Sequence, residues 1–383
     1  MSAETNNGSS SATSLSGKSS PTRPEKKPLS PETRGDFTVE RIFEMLADSL
    51  DGYEIREPQL DLAHHIERAF NTKKTGIFEA GTGVGKSFAA LIPAFLAGKK
   101  VVVSTATIAL QEQYMNKDIP ILKEIFPFEI NAALLKGRGN YLGIRRFRDH
   151  VLEQHIDDDF VDWVNNTQNG DVSELDFVPP YDIWGEINSD SDDCLRNKCP
   201  SFGNCFYFEA RKRAEKADIL VVNHALLLAD AASGGSILPP YQLLIVDEAH
   251  HLPDIATDAF SRSISNRGIR ILLGKAVKRL NPPNNLINDI EHLSGQLFVR
   301  LNMMARSARM RLRQPVEGAV ELIFALKTLR DWLENQTFEH ILDVDLLREK
   351  AQLKAKSIIS TISGYCACLE LIAAPSAEWV MWL

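Results

Sequence analysis

The sequence predicts an α/β protein built on a parallel sheet with helices on both faces, and three observations predict it. A glycine-rich loop, Ala80-Gly81-Thr82-Gly83-Val84-Gly85-Lys86-Ser87, separates an apolar stretch from a helix-forming one. The runs Lys100 to Thr107, Ala217 to His224 and Leu243 to His250 begin as continuous apolar or β-branched segments, as strands covered on both faces do. Strand-forming and helix-forming stretches alternate with short links, which is the order of parallel crossover units.

Taken along the chain, residues 1–36 are rich in Ser, Thr, Asn, Gly, Pro and Lys and nearly free of large apolar side chains. Burial cannot offset the entropy of ordering such a segment, so a disordered tail is expected. Order is expected from residue 37, where Val39, Ile42, Phe43, Leu46 and Leu50 recur at helical spacing. Leu60, Ala63, Ile66 and Phe70 mark a second helix, preceded by Arg56-Glu57-Pro58-Gln59. The Gln59 amide offers a donor and an acceptor together, which suits an adenine edge; a proline-marked helix start explains the same residues.

The glycine-rich loop is expected to join a strand to a helix. Gly81, Gly83 and Gly85 leave backbone N–H groups free to turn inward around phosphate oxygens, with Thr82 and Val84 as the intervening members of the cradle. Lys86 brings a charge to the outer phosphates, and the Ser87 hydroxyl suits magnesium. The helix-forming residues behind it put a positive dipole end under the anion. Downstream, Leu243-Leu244-Ile245-Val246 ends in Asp247-Glu248-Ala249-His250. Asp247 fits a magnesium partner and Glu248 the group that orients and deprotonates water. An acidic pair at a strand end also occurs as plain surface charge; its place after a phosphate loop selects the ATPase reading.

The chain has 383 residues, enough for two or three domains, and its formal charge of −8 argues against coating nucleic acid by bulk charge. No apolar run is expected to approach the roughly 18 residues that span a bilayer, and no signal pattern opens the chain, so a cytoplasmic protein without a membrane partner is expected. Five cysteines do not make a disulfide framework. Cys194, Cys199 and Cys205 share a short segment with Pro200, Gly203 and Asn204, which suits zinc, an iron–sulfur cluster or merely buried thiols.

In order, Arg56 to Gln59, the Gly81 to Ser87 loop, Ser104-Thr105, Lys136-Gly137-Arg138-Gly139-Asn140-Tyr141-Leu142, the three clustered cysteines, Val222-Asn223-His224 and the DEAH box at Asp247 to His250 resemble one family. It is the bacterial YoaA/DinG branch of the XPD-like iron–sulfur helicases, and the resemblance runs from Asp51 to the chain end. It implies an ATP-dependent DNA helicase moving 5′ to 3′ in repair or replication. Single-stranded DNA and repair or replication proteins would be its partners, and ATP and magnesium its cofactors. It further implies a RecA-like P-loop motor domain over 37–135 and 217–252, an iron–sulfur-type insertion over 136–216 and a helical arch insertion over 253–374, with 375–383 returning to the motor domain. Gln59 would contact adenine, Lys86 and Ser87 phosphate and magnesium, and Asp247 and Glu248 the metal and the attacking water. His250 would couple nucleotide state to the DNA path.

Two departures stand out. The family's first cluster cysteine falls on Gly143, leaving three of four iron–sulfur ligands, so a cluster with an open site, an outside ligand and no cluster are all consistent with the sequence. The chain also ends at Leu383 before a second motor domain, which is therefore expected to be absent together with its arginine. Such an arginine contributes about 10³ to 10⁵ in rate, so very slow turnover and no unwinding are expected. A non-catalytic nucleotide- or DNA-binding fragment, or a P-loop ATPase unrelated to nucleic acid, are the competing readings. For DNA, Lys136, Arg138, Tyr141, Arg145, Arg146, Phe147 and Arg148 interleave cations with rings, with Phe206, Tyr207, Arg211 and Lys212 beyond them. A solvated helix face explains the charges as well; the interleaving favours DNA. A second run, Arg300, Arg306, Arg309, Arg311 and Arg313 with Met303, Met304 and Met310, suits an arch opening or a packed helix side. Cys366 and Cys368 read as ordinary helix residues.

Overall fold

The computed structural model describes residues 37–153, 157–305, 310–336, 345–376 and 378–382. The expected tail over 1–36 lies outside the described residues, as do Arg306 and Arg309.

Helix α1 (Val39–Ser49) starts at Thr38, whose hydroxyl accepts from the Arg41 N–H, and buries Val39, Ile42, Phe43 and Leu46. Helix α2 (Glu57–Thr72) has Pro58 in its first turn and ends at Lys73 in the left-handed region, φ 54°. Helix α3 (Lys86–Leu96) springs from Gly85, whose φ of 86° requires glycine. Strand β1 (Val101–Thr105) leads through the Thr107 cap into α4 (Ile108–Gln113), a π-helical turn over Tyr114–Asp118, and α5 (Ile119–Ile125).

Strands β2 (Ala132–Leu134), β3 (Ile219–Asn223) and β4 (Leu243–Val246) complete a parallel sheet in the order β2-β3-β1-β4. Val101 stands opposite both Ile219 and Leu243, so the carboxyl ends of β1, β3 and β4 form one row. Val101, Val103 and Val221 join the core against α1, α3 and α5, while Val102, Leu220 and Val222 join the core on the other face. That two-sided burial is why these strands are apolar without alternation.

One expectation is corrected. The residues before the phosphate loop, 73–80, form no strand, and Ile77 is 95% exposed. A strand needs a partner for its backbone groups, and among the described residues β4 pairs only with β1, leaving Leu244 exposed at the sheet edge.

Between β2 and β3 the chain forms α6 (Ile144–Glu153), α7 (Asp158–Asn166), α8 (Tyr181–Ile187) and α9 (Phe206–Lys216), and Leu142, Phe147, Phe160 and Ile187 make a small core of their own. Helix α10 (His224–Ala232) follows β3, and α11 (Leu252–Phe260) follows β4. Then α12 (Asn266–Leu280), α13 (Asn284–Met304), α14 (Ala319–Glu334) and α15 (Asp345–Ala373) pack round a separate apolar core. Over residues 351–373, α15 is long and apolar enough by length and composition to cross a membrane, contrary to the expectation that no run would be. Its Ala351, Ala355, Ile358, Ile362, Leu369 and Ile372 instead recur as a helical stripe lining that core. Cys366 and Cys368 are buried in the same helix, as ordinary core residues.

Candidate nucleotide site and cysteine pocket

The parallel register places the ends of β1 and β4 side by side, and the Lys86–Glu248 contact brings the phosphate loop to them. The Lys86 ammonium donates to Glu248 Oε1 at 2.9 Å, and His250 Nδ1 lies 3.4 Å from Glu248 Oε2. Glu248 holds φ 52°, unusual for a residue with a side chain, and this turn brings its carboxylate toward the loop. The hydrogen bond from Lys86, ahead of opposing burial, holds Glu248 below the usual carboxylate range. Asp247 goes the other way: burial pushes it up, opposed by a hydrogen bond from Tyr114. Its backbone N–H donates to Ser104 O at 2.8 Å, which pins the acidic turn to β1.

Gln59 is 2% exposed, accepts from Tyr53 Oη at 2.7 Å and donates to Gly85 O at 2.9 Å. It braces the phosphate loop, and Arg56 does the same by donating to Gly83 O. Gly81, Thr82, Gly83 and Val84 complete the turn ahead of Lys86 and Ser87.

Two further participants join the site: Tyr114, which the sequence does not single out, and His224, which it marks as a motif residue without a role. Tyr114, 1% exposed, donates to Asp247 Oδ2 at 3.2 Å, so the phenol holds the expected magnesium carboxylate. Its only signal is a place on a helix just after β1, where it reads as a helical apolar residue. His224 is wholly buried with Nδ1 2.7 Å from Ser104 Oγ, and burial pushes its pKa down against the backbone of Glu248 and Asp247. It ties the end of β3 to β1.

Cys194, Cys199 and Cys205 are half-buried free thiols on a single cavity of about 40 Å³, shared with Arg138, Gly143, Arg145, Arg146 and Asp193. Burial pushes the Cys205 thiol up. The Arg138 guanidinium donates to Cys194 Sγ at 2.9 Å and to Ser189 Oγ at 2.9 Å, and stacks 4.4 Å from the Tyr207 ring centre.

A family model described as DEAD_2 matches residues 182–269, which hold the cysteine segment, β3 and the acidic turn. The chain is 40% identical over 235 residues to the ATP-dependent DNA helicase YoaA of Escherichia coli, covering 58% of this chain and 37% of that protein. It is 38% identical over 245 residues to the Haemophilus influenzae protein of the same name, covering 60% of this chain and 38% of that one. The ATP-dependent helicase DinG of Mycobacterium tuberculosis is 34% identical over 274 residues, 64% of this chain and 40% of its own length. Over these residues the chain is similar to the YoaA and DinG proteins. It spans about two fifths of the length of these proteins.

The three thiols on one cavity fit part of the iron–sulfur set expected from the sequence, and residue 143 does not supply the rest. A Cβ on Gly143 would stand 2.8 Å from Asn188 O and 3.0 Å from Ile187 O, against backbone rather than a movable side chain. The set therefore does not fit a four-cysteine cluster as the chain stands. Among the described residues no three His, Cys, Asp or Glu side chains are already drawn together around one metal position.

The expected DNA track is corrected too. Lys136 is 4% exposed, paired with Asp171 at 2.7 Å and with Ser173; Arg145 pairs with Asp193 at 3.0 Å and Arg146 donates to Asn188 and Gly185. Tyr141 and Phe147 are buried. These cations cross-link the insertion, because burying them in a module with so small a core requires carboxylate and carbonyl partners. Arg148, Lys212 and Arg213 keep exposed positions, whereas Arg211 is half-buried. In the second basic run, Arg300 donates to Glu317 O.

Proposed function

We propose that this chain is the nucleotide-binding motor part of an ATP-dependent DNA helicase. The observation that carries the reading is the meeting of Lys86 with Glu248, beside Asp247 and its donor Tyr114, at the carboxyl edge of a parallel sheet. The YoaA and DinG relatives, named as helicases, support it.

In this proposal Lys86 leaves Glu248 for the outer phosphates of ATP, and the N–H groups of Gly81 to Gly85 surround the phosphate oxygens. Ser87 and Asp247 would hold magnesium, whose charge would also offset the burial that raises Asp247. Glu248, released from Lys86, orients and deprotonates the attacking water. Gln59 reads adenine only by leaving Tyr53 and Gly85, which hold its buried amide in the free chain. Single-stranded DNA is the polymer substrate, with repair or replication proteins as partners in the cytoplasm, and His250 beside Glu248 couples the two sites.

The test is magnesium-dependent binding of a fluorescent ATP analogue, followed by ATP turnover with and without a single-stranded oligonucleotide. Binding that is lost in Lys86→Ala, and turnover that rises with the oligonucleotide, are the expected results. Unchanged analogue binding in Lys86→Ala rejects the nucleotide site, and no response to the oligonucleotide rejects the DNA assignment.

A further inference from the structure

The cysteine cavity has on its wall one oxygen, Oδ1 of Asp193, that neither the helicase reading nor the packing of this segment uses. Asp193 is 7% exposed, and its Oδ2 takes Arg145 at 3.0 Å with Arg146 at 3.7 Å, while its Oδ1 is buried without a hydrogen-bond partner. A buried acceptor left without a donor keeps an uncompensated desolvation cost and calls for an explanation. It lines the same cavity as Cys194, Cys199 and Cys205.

We propose that Asp193 is the fourth donor of a thiolate-rich metal centre, Cys194, Cys199, Cys205 and Asp193, in which the carboxylate does what residue 143 cannot. Three thiolates select a soft or borderline metal, zinc or iron–sulfur, over magnesium or calcium. Three thiolates and a carboxylate carry four negative charges, and Arg138, Arg145 and Arg146 on the cavity wall offset most of them. The two arginines on Oδ2 fix the carboxylate so that Oδ1 is the oxygen free to ligate. Binding requires Arg138 to swing off Cys194 Sγ, and each cysteine thiol gives up its proton to solvent as its sulfur bonds the metal. The centre would tie the insertion to the helical module, because the cysteine segment already meets α15 through Asp192 with Ser357 and Lys198 with Glu349.

The experiment uses the whole chain, stripped of metal under anaerobic conditions and titrated with cobalt(II), then zinc(II), and separately with ferrous iron plus sulfide. One metal ion or one cluster per chain is expected, and cobalt should show the charge-transfer absorption of three thiolates. Asp193→Cys should raise that absorption by about one third as a fourth thiolate joins, and Asp193→Asn should weaken metal binding at least about tenfold. Uptake of zinc alone, or of iron and sulfide with visible absorption and a paramagnetic signal on reduction, each supports the donor set and identifies its occupant. The proposal is overturned if the unmodified chain takes up none of these. It is equally overturned if Asp193→Cys leaves the cobalt spectrum unchanged, a result that loss of fold in Asp193→Asn cannot imitate.

Discussion

Lys86 Nζ lies 2.9 Å from Glu248 Oε1, two groups 162 positions apart that the phosphate loop and the end of β4 bring face to face. Each is about a third exposed, so the pair contributes under about 1 kcal/mol to stability. Its interest lies in competition: a triphosphate must take Lys86 from Glu248, and in doing so frees the carboxylate for water.

Lys86→Ala is therefore expected to lower ATP-analogue affinity by about 10- to 100-fold, the worth of a charged hydrogen bond of about 1.5–3 kcal/mol. Glu248→Gln, which removes the competitor for Lys86, is expected to keep or tighten analogue binding while stopping turnover. Equilibrium titration of both variants alongside ATP hydrolysis checks the split. Equal loss of binding in the two would contradict it.

The sheet and the charged ends of this site are legible in the sequence because each has a local signature. Continuous β-branched runs mark β1, β3 and β4, and Gly85-Lys86-Ser87 and Asp247-Glu248 declare their own chemistry. Tyr114 is not legible, since a tyrosine at helical spacing reads as core until the fold carries it to Asp247. The cations Lys136, Arg145 and Arg146 mislead for the same reason: their partners Asp171, Asp193 and Asn188 are long-range contacts. The apolar residues before the loop suggest a strand, but pairing depends on a neighbour that composition does not show.

Asp247 is pushed up by burial, so the folded state favours its protonated form. That preference adds stability below the ordinary carboxylate value of 3.8 and is lost as pH rises through the folded value, leaving a buried charge that costs stability at neutral pH. Asp247→Asn should raise the melting temperature at pH 7 by about 2 °C, shrinking toward zero near pH 3, while abolishing magnesium-dependent turnover. Thermal melts across pH, paired with an ATPase assay, test both halves.

Tyr114→Phe keeps the ring in its buried slot and removes only the hydroxyl that donates to Asp247. The expected cost is about 1–3 kcal/mol in denaturant unfolding, because Asp247 Oδ2 loses its buried donor. A higher magnesium requirement for analogue binding should accompany it. If stability falls but the magnesium dependence stays put, the phenol only packs and does not position Asp247 for the metal.

His224 is depressed below the ordinary histidine value of 6.5, chiefly by burial. A depressed group contributes stability that is present above its unfolded value and lost as pH falls through the folded one. The chain should therefore lose stability as pH drops below about 6.5, and His224→Gln should flatten that part of the profile while keeping an acceptor near Ser104. Urea midpoints from pH 5 to 8 for the two proteins make the comparison; parallel profiles would assign the acid loss to other groups.

Lys136 separates structural from DNA-facing charge. It is nearly fully buried against Asp171, with side-chain exposures of 4% and 10%, and it also donates to Ser173 Oγ at 2.7 Å. Removing one partner of such a pair strands the other in a dry site and costs about 3–5 kcal/mol, whereas an exposed cation such as Lys212 contributes little to folding. Lys136→Met should thus lower the unfolding midpoint markedly, and Lys136→Met with Asp171→Leu should recover most of the loss because no charge remains unpaired. Lys212→Ala and Arg148→Ala should leave the midpoint within about 0.5 kcal/mol of the parent. If those two lie on the strand path, they should weaken oligonucleotide binding and reduce its salt slope by roughly one for each phosphate left without a cation. A Lys136→Met protein that stays folded yet no longer binds DNA would return this lysine to the strand path, against the burial that now removes it.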